Sequence, residues 1–254
     1  MISLPFDTLL LIAFTGFYAG TQNALAGGGS FITFPALMLA GLSPLSANIT
    51  STIALFPGQI ASSFVGRKFV GGVGHLKFST LMIISLFGGI LGACLLLSTP
   101  PSFFAKLVPW LVLFATTVFG WGSFRKKPLV TTHGMPAWLL STLQLCIAIY
   151  GGYFGAGIGF LMLAALTIAG QHVKMAGATK NALALAMNSA AVLVFAFSTQ
   201  ANWTAVLALG TGGVLGGFAG GWLMYRIPAK ALRGFVLCVG VSLTIWLFVR
   251  QIGH

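Results

Sequence analysis

The chain has 254 residues, of which 57% are hydrophobic and only 6% charged, with thirteen Lys and Arg against a single acid, Asp7. Its mean hydropathy is +1.00. A soluble domain carries about 25% charged residues, so a water-soluble globular fold, a disordered chain and a secreted disulfide scaffold are all excluded.

The first apolar run, 8 to 26, begins almost at Met1 with no basic region ahead of it. It reads as a spanning segment and not as a removable signal peptide. Further runs of about 20 residues, the length a membrane-spanning helix needs, follow at 46 to 65, 78 to 98 and 103 to 124, then at 136 to 155, 175 to 198, 203 to 226 and 231 to 250. Two shorter runs, 30 to 42 and 157 to 170, each follow a Gly-rich stretch, Gly27-Gly28-Gly29 and Gly155-Ala156-Gly157-Ile158-Gly159. At 1.5 Å per residue each reaches about 20 Å. They are either short tilted crossings or half-helices that turn back where other helices shelter their backbone. The expected fold is an all-α polytopic membrane protein with eight long helices and two short or re-entrant ones, forming one transmembrane domain over 1–254.

A shift of 129 residues places Gly28 on Gly157, Phe31 on Phe160, Ala36-Leu37 on Ala165-Leu166, Ala47 on Ala176, Thr50 on Thr179, Gly88 on Gly217 and Gly92 on Gly221. The common offset, with no gap, reads as an internal duplication of the kind many transporters are built from. The expected parts are repeat 1 over about 8–124, a cytoplasmic linker over about 125–135, and repeat 2 over about 136–250. Short cytoplasmic loops attract Lys and Arg, and equivalent loops differ in charge. Loop 66–77 holds Arg67, Lys68 and Lys77, whereas 195–206 holds none; 226–233 holds Arg226, Lys230 and Arg233, whereas 97–104 holds none. Opposite bias at equivalent places predicts inverted halves of five crossings each, with Arg125, Lys126, Lys127 and Lys174 also inside and both termini outside. The alternative is eight crossings, two re-entrant hairpins and parallel halves. The same loop placement of the basic residues predicts a lipid bilayer, and no nucleic acid, as the partner of the positive charge.

Polar residues inside the apolar runs gather at equivalent places. The first half offers Asn48, Thr50, Ser51 and Thr52, then Gln59 beside Pro57-Gly58; the second offers Thr179, Lys180, Asn181 and Asn188. Lys180 stands inside a span with no intramembrane acid to pair with it. A charge at the bilayer centre costs about 2.5–3.5 kcal/mol, which calls either for an anion as partner or for snorkelling to the headgroups near Lys174. Helices that begin inside the membrane present unpaired N–H groups and a positive dipole end. Amides over 28–31, including Gly28, Gly29 and Ser30, and over 157–160, including Gly157 and Gly159, are therefore candidate anion donors, with close helix packing as the alternative. Gln22 and Asn23 precede the first Gly cluster, and Tyr150 and Tyr153 hold similar places in the second half; they line the same cavity or anchor helices at the headgroups. The small residues Gly212, Gly213, Gly216, Gly217, Gly220 and Gly221 form a packing face, with Gly88 and Gly92 a shorter version in the equivalent helix. The alternative to plain packing is that these two helices meet near the pseudo-twofold axis and slide or rock during transport.

Neither catalysis nor a metal site finds its parts. The four His are scattered, Cys94, Cys146 and Cys238 stand singly, and one acid outside the membrane core supplies no paired carboxylates. No cofactor is expected. An alternating-access anion exporter is the leading expectation, with an anion channel or uptake carrier of the same build as the alternative, acting as a monomer or homodimer.

The stretch AGGGSFITFPALMLAGLSPLSANITSTIALFPGQIAS at 26–62, together with GGYFGAGIGFLMLAALTIAGQHVKMAGATKNALALAMN at 151–188, resembles the two signatures of the sulfite exporter TauE/SafE family. The likeness covers nearly the whole chain. It departs in having Ala26 where a longer Gly run often stands, and in its Ser43-Pro44-Leu45-Ser46 loop. The resemblance implies a multi-pass protein of the bacterial inner membrane that carries small sulfur-containing anions such as sulfite, sulfoacetate and related organosulfonates.

Overall fold

The computed structural model describes residues 4–25, 28–124, 135–223 and 229–252. The linker charges Arg125, Lys126 and Lys127, and Arg226, lie outside the described residues. Ten helices and no strand are found among those described: α1 (Phe6–Leu25), α2 (Ser30–Leu39), α3 (Pro44–Gly66), α4 (Phe78–Ser98), α5 (Pro101–Phe124), α6 (Ala137–Tyr153), α7 (Ile158–Ile168), α8 (Val173–Ala196), α9 (Trp203–Leu223) and α10 (Ala229–Ile252). A short 3-10 turn, Arg67–Phe69, follows α3.

Among the described residues, three helical stretches are both long and apolar enough to cross a membrane: Phe78–Ser98, Pro101–Trp121 and Met175–Ala196. Shorter apolar stretches lie at Ala137–Tyr153, Trp203–Ala219 and Leu237–Val249. The two short runs of the sequence are helices of 10 and 11 residues. At 1.5 Å per residue they extend about 15 Å, half of the roughly 30 Å hydrocarbon core.

Local sequence explains where several helices start. At α3, Ser43 accepts from the Ser46 N–H at 3.3 Å and Pro44 occupies the first turn, where its missing N–H has no bond to lose. At α7, Gly157 precedes the first turn with φ +78, a left-handed conformation that costs a residue bearing Cβ about 1–2 kcal/mol.

Packing sorts the helices into two groups, each completed by one helix from the other half. The group of α1, α2 and α3 is joined by α9, and that of α6, α7 and α8 by α4. The contact between α1 and α9 is backbone to backbone: a Cβ on Gly212 would collide with Ala13 O, one on Gly16 with Leu209 O, and one on Gly216 with Phe17 O. The Thr21 hydroxyl adds a bond across it to Gly216 O at 3.0 Å. On the other side Gly88 faces Ala148, Gly92 faces Ile149, and Gln144 Nε2 donates to Ser85 Oγ at 2.8 Å. Gly88 and Gly92 of α4 and Gly212 and Gly216 of α9 are thus spent on α6 and α1. The faces act in packing, and the alternative that they meet each other at an axis is corrected: glycine removes side-chain bulk where the first helix of the opposite half comes closest.

Helix directions follow from the same contacts. Gly16 lies against Leu209 and Gly20 against Gly213, so α1 and α9 run parallel. In contrast, Gln59 meets Asn188 and Ser63 meets the Asn181 carbonyl, so α3 and α8 run antiparallel where they cross. These two helices begin 129 residues apart, which is also the separation of Gln59 and Asn188.

Candidate functional site

The crossing of α3 and α8 forms one wall of a polar cavity of about 80 Å³. At about 10–15 Å³ for each water-sized group, it has room for about five to eight such groups. From α3 come Thr52, Leu55 and Gln59; from α8 come Lys180, Asn181, Ala184 and Asn188. Positions 52, 55 and 59, like 181, 184 and 188, are three and four residues apart and share one helix face. The opposite wall is made by the breaks before the short helices: Asn23, Gly28 and Ser30 on one side, Gly155, Gly157, Ile158 and Gly159 on the other. The first amides of an α-helix have no intrahelical acceptor, and those of Ser30, Ile158 and Gly159 border this space.

Lys180 is half-buried, and its ammonium reaches the start of α7, where a Cβ built on Gly159 would lie 3.5 Å from Nζ. A full positive charge and a positive helix end therefore share one corner. Among the described residues no acidic side chain lines the cavity. The carbonyls at the α6 break are capped: Asn48 Nδ2 donates to Tyr153 O at 3.0 Å, and the Tyr150 hydroxyl donates to Ala156 O at 3.0 Å. In the first half, Asn23 Oδ1 accepts from the Gly29 N–H at 2.7 Å. Asn188 Nδ2 donates to Gln59 Oε1 at 2.7 Å.

Ten of the residues singled out by sequence border the cavity: Asn23, Gly28, Ser30, Thr52, Gln59, Gly157, Gly159, Lys180, Asn181 and Asn188. The others are engaged elsewhere. The Thr50 hydroxyl accepts from the Asn202 N–H at 3.1 Å, and Thr179 accepts from Gly71 N–H at 3.2 Å, so both tie down the loop after the other half's long helix. Ser51 shares a 2.6 Å bond with Thr33, linking α3 to α2. Gln22 is fully buried beside Asn23. Asn48, Gly29 and Tyr150 hold the backbone at the breaks, as described above. Tyr150 and Tyr153 also border a separate, apolar groove with Leu95, Thr99, Phe103 and Leu107. Sequence reading passed over Leu55, Ala184 and Gly155. For the first two the signal was present, because they lie on the same faces as their polar neighbours and are themselves 129 residues apart.

Residues 12–247 match the family model described as "Sulfite exporter TauE/SafE". Among curated proteins, the chain is 31% identical to "Probable membrane transporter protein ORF9" of Sinorhizobium, over 96% of this chain and 94% of that protein. It is 27% identical to a "Probable membrane transporter protein" of Haemophilus influenzae, over 96% and 95%. It is likewise 27% identical to "Probable membrane transporter protein YfcA" of Escherichia coli K12, over 96% and 91%. No solved structure matches the chain significantly.

Proposed function

The chain belongs to the sulfite exporter TauE/SafE family of membrane transporters, and from that premise we propose that it carries small sulfur-containing anions, sulfite or organosulfonates, out of the cell through the cavity between α3 and α8. The observation that carries this reading is the convergence on that cavity of two short-helix N-termini and the Lys180 ammonium, with no acid beside them. Such a site offers N–H groups and one positive charge and, with no carboxylate among the lining residues, has no anionic group to offset the desolvation of a cation.

In this reading Lys180 supplies the countercharge. The amides of Ser30, Ile158 and Gly159 receive the anion's oxygens, and Asn181, Asn188, Gln59 and Asn23 orient them. Thr52, whose hydroxyl donates to Asn48 O at 2.9 Å, presents its remaining lone pairs until an anion draws the proton round. Inverted halves, with alternating access about the α3–α8 crossing, are supported by the antiparallel course of these two equivalent helices. The loop charges support an inner-membrane orientation with the basic loops in the cytoplasm. Efflux then has its own driving force, because each negative charge leaving a negative interior gains about 2.3 kcal/mol per 100 mV.

The test is flux in proteoliposomes. Saturable uptake of sulfite or sulfoacetate that is stimulated by unlabelled substrate on the opposite side supports a carrier. Flux without counterflow makes the protein a channel, and no flux with any oxyanion of this class removes the reading.

A further inference from the structure

Next to the cavity stands an aromatic cluster that sequence reading left unassigned. Phe31 and Phe160 follow directly on the lining residues Ser30 and Gly159, and Phe119 of α5 reaches between them. Its ring centroid lies 5.5 Å from that of Phe31 and 4.4 Å from that of Phe160, both edge-on. Phe31 and Phe160 are equivalent under the 129-residue shift, so a single ring from one half bridges a symmetric pair. The three rings, Phe31, Phe119 and Phe160, are buried, at 2%, 1% and 8% exposure, and packed in this way they leave no passage for a hydrated anion between them.

The residue equivalent to Phe119 is also phenylalanine, Phe248 of α10, yet it sits elsewhere, edge-on to Trp110 at 5.1 Å. The asymmetry extends along both helices. Val112 on α5 is 1% exposed while its equivalent Val241 on α10 is 45% exposed; for Thr116 and Ile245 the figures are 5% and 59%. The two helices bury different faces, α5 turning Val112, Thr116 and Phe119 inward and α10 turning Leu243, Thr244 and Leu247 inward, although their sequences offer the same ring at the same place.

We infer that Phe119 is the closed gate of this conformation and that Phe248 takes its place between Phe31 and Phe160 in the conformation open to the opposite side. This rests on the carrier reading above, since two halves of one design with unlike conformations supply two states by exchanging them. Trp110 biases the exchange. It holds the Phe248 ring away from Phe31 and Phe160, whereas the equivalent place for a displaced Phe119 is Val239, which has no ring to offer.

The experiment is disulfide trapping in membrane vesicles after replacement of Cys94, Cys146 and Cys238. Pairs Phe119→Cys with Phe160→Cys, and Phe248→Cys with Phe160→Cys, are oxidised with copper phenanthroline and oxygen. The first pair is expected to form rapidly. The second is expected to form more slowly; Trp110→Val is added to the first pair, which keeps the Phe248 ring, and is expected to slow that disulfide by freeing Phe248. Where Phe119→Cys loosens the fold, the second pair decides alone, because it leaves Phe119 in place. Absence of the second disulfide in a protein that shows counterflow overturns the exchange. Its formation in a protein that moves no anion upholds the exchange of helices and overturns the carrier reading instead.

Discussion

Replacing Lys180 with methionine keeps most of the stem and removes the charge. An anion seated against the first turn of α7 lies about 4 Å from Nζ, given the 3.5 Å approach of that ammonium to the Gly159 Cβ position. At an effective dielectric constant of about 20, such a pair gains about 4 kcal/mol. Each helix N-terminus adds about 0.3–1 kcal/mol, so the ammonium is the largest single contribution. Part of its gain is offset by the hydration it gives up as the anion enters, leaving about 2–3 kcal/mol, or a 30- to 150-fold weaker affinity by the relation of free energy to Kd. The assay is initial-rate uptake into proteoliposomes over a substrate series, normalised to incorporated protein. Lys180→Met is expected to raise KM by that factor, and Lys180→Arg, which keeps the charge, to recover most of it. A KM for Lys180→Met within about threefold of the parent, well short of a 1.4 kcal/mol tenfold step, would refute the placement of the anion beside Nζ.

The glycine contact between α1 and α9 gives a stability test with its own control. Gly212→Leu drives a side chain into Ala13 O and is expected to cost more than the about 1–3 kcal/mol of ordinary overpacking, lowering the detergent melting temperature; Gly217→Ala, with nothing within 4 Å, is expected to leave it unchanged. Equal melting of the two variants would contradict the close approach. For the bond between Gln59 and Asn188, a double-mutant cycle to alanine, read by unfolding in detergent, is expected to give a coupling of about 0.6–1.7 kcal/mol; additive single effects would show that the pair is not formed. Asn48→Leu removes the donor from Tyr153 O and leaves a buried carbonyl unpaired at a cost of about 1–3 kcal/mol. Its flux is expected to fall along with stability, whereas a stable protein with parental flux would show that this cap is dispensable.

Sequence alone determined what depends on solvent, composition and local geometry. One acid against thirteen bases in an apolar chain sets the bilayer as surroundings. The 129-residue offset brought Thr52 with Asn181 and Gln59 with Asn188 into consideration, because polar groups are costly in hydrocarbon and so stand out wherever they occur. The breaks at Gly28 and Gly157 were legible for the same reason, since glycine is the residue that turns a chain at positive φ. Tertiary structure alone decided which of those polar groups face the cavity. Thr50 and Thr179 are one or two residues from lining positions, but a step of one residue turns a helix by about 100°, and their hydroxyls end on Asn202 and Gly71 backbone. It also decided that α4 and α9 cross into the opposite group, and that α5 and α10 bury different faces. In a bilayer the lipid-facing and protein-facing sides of a helix are equally apolar, so Val112 and Val241 look alike in sequence while one is buried and the other faces outward.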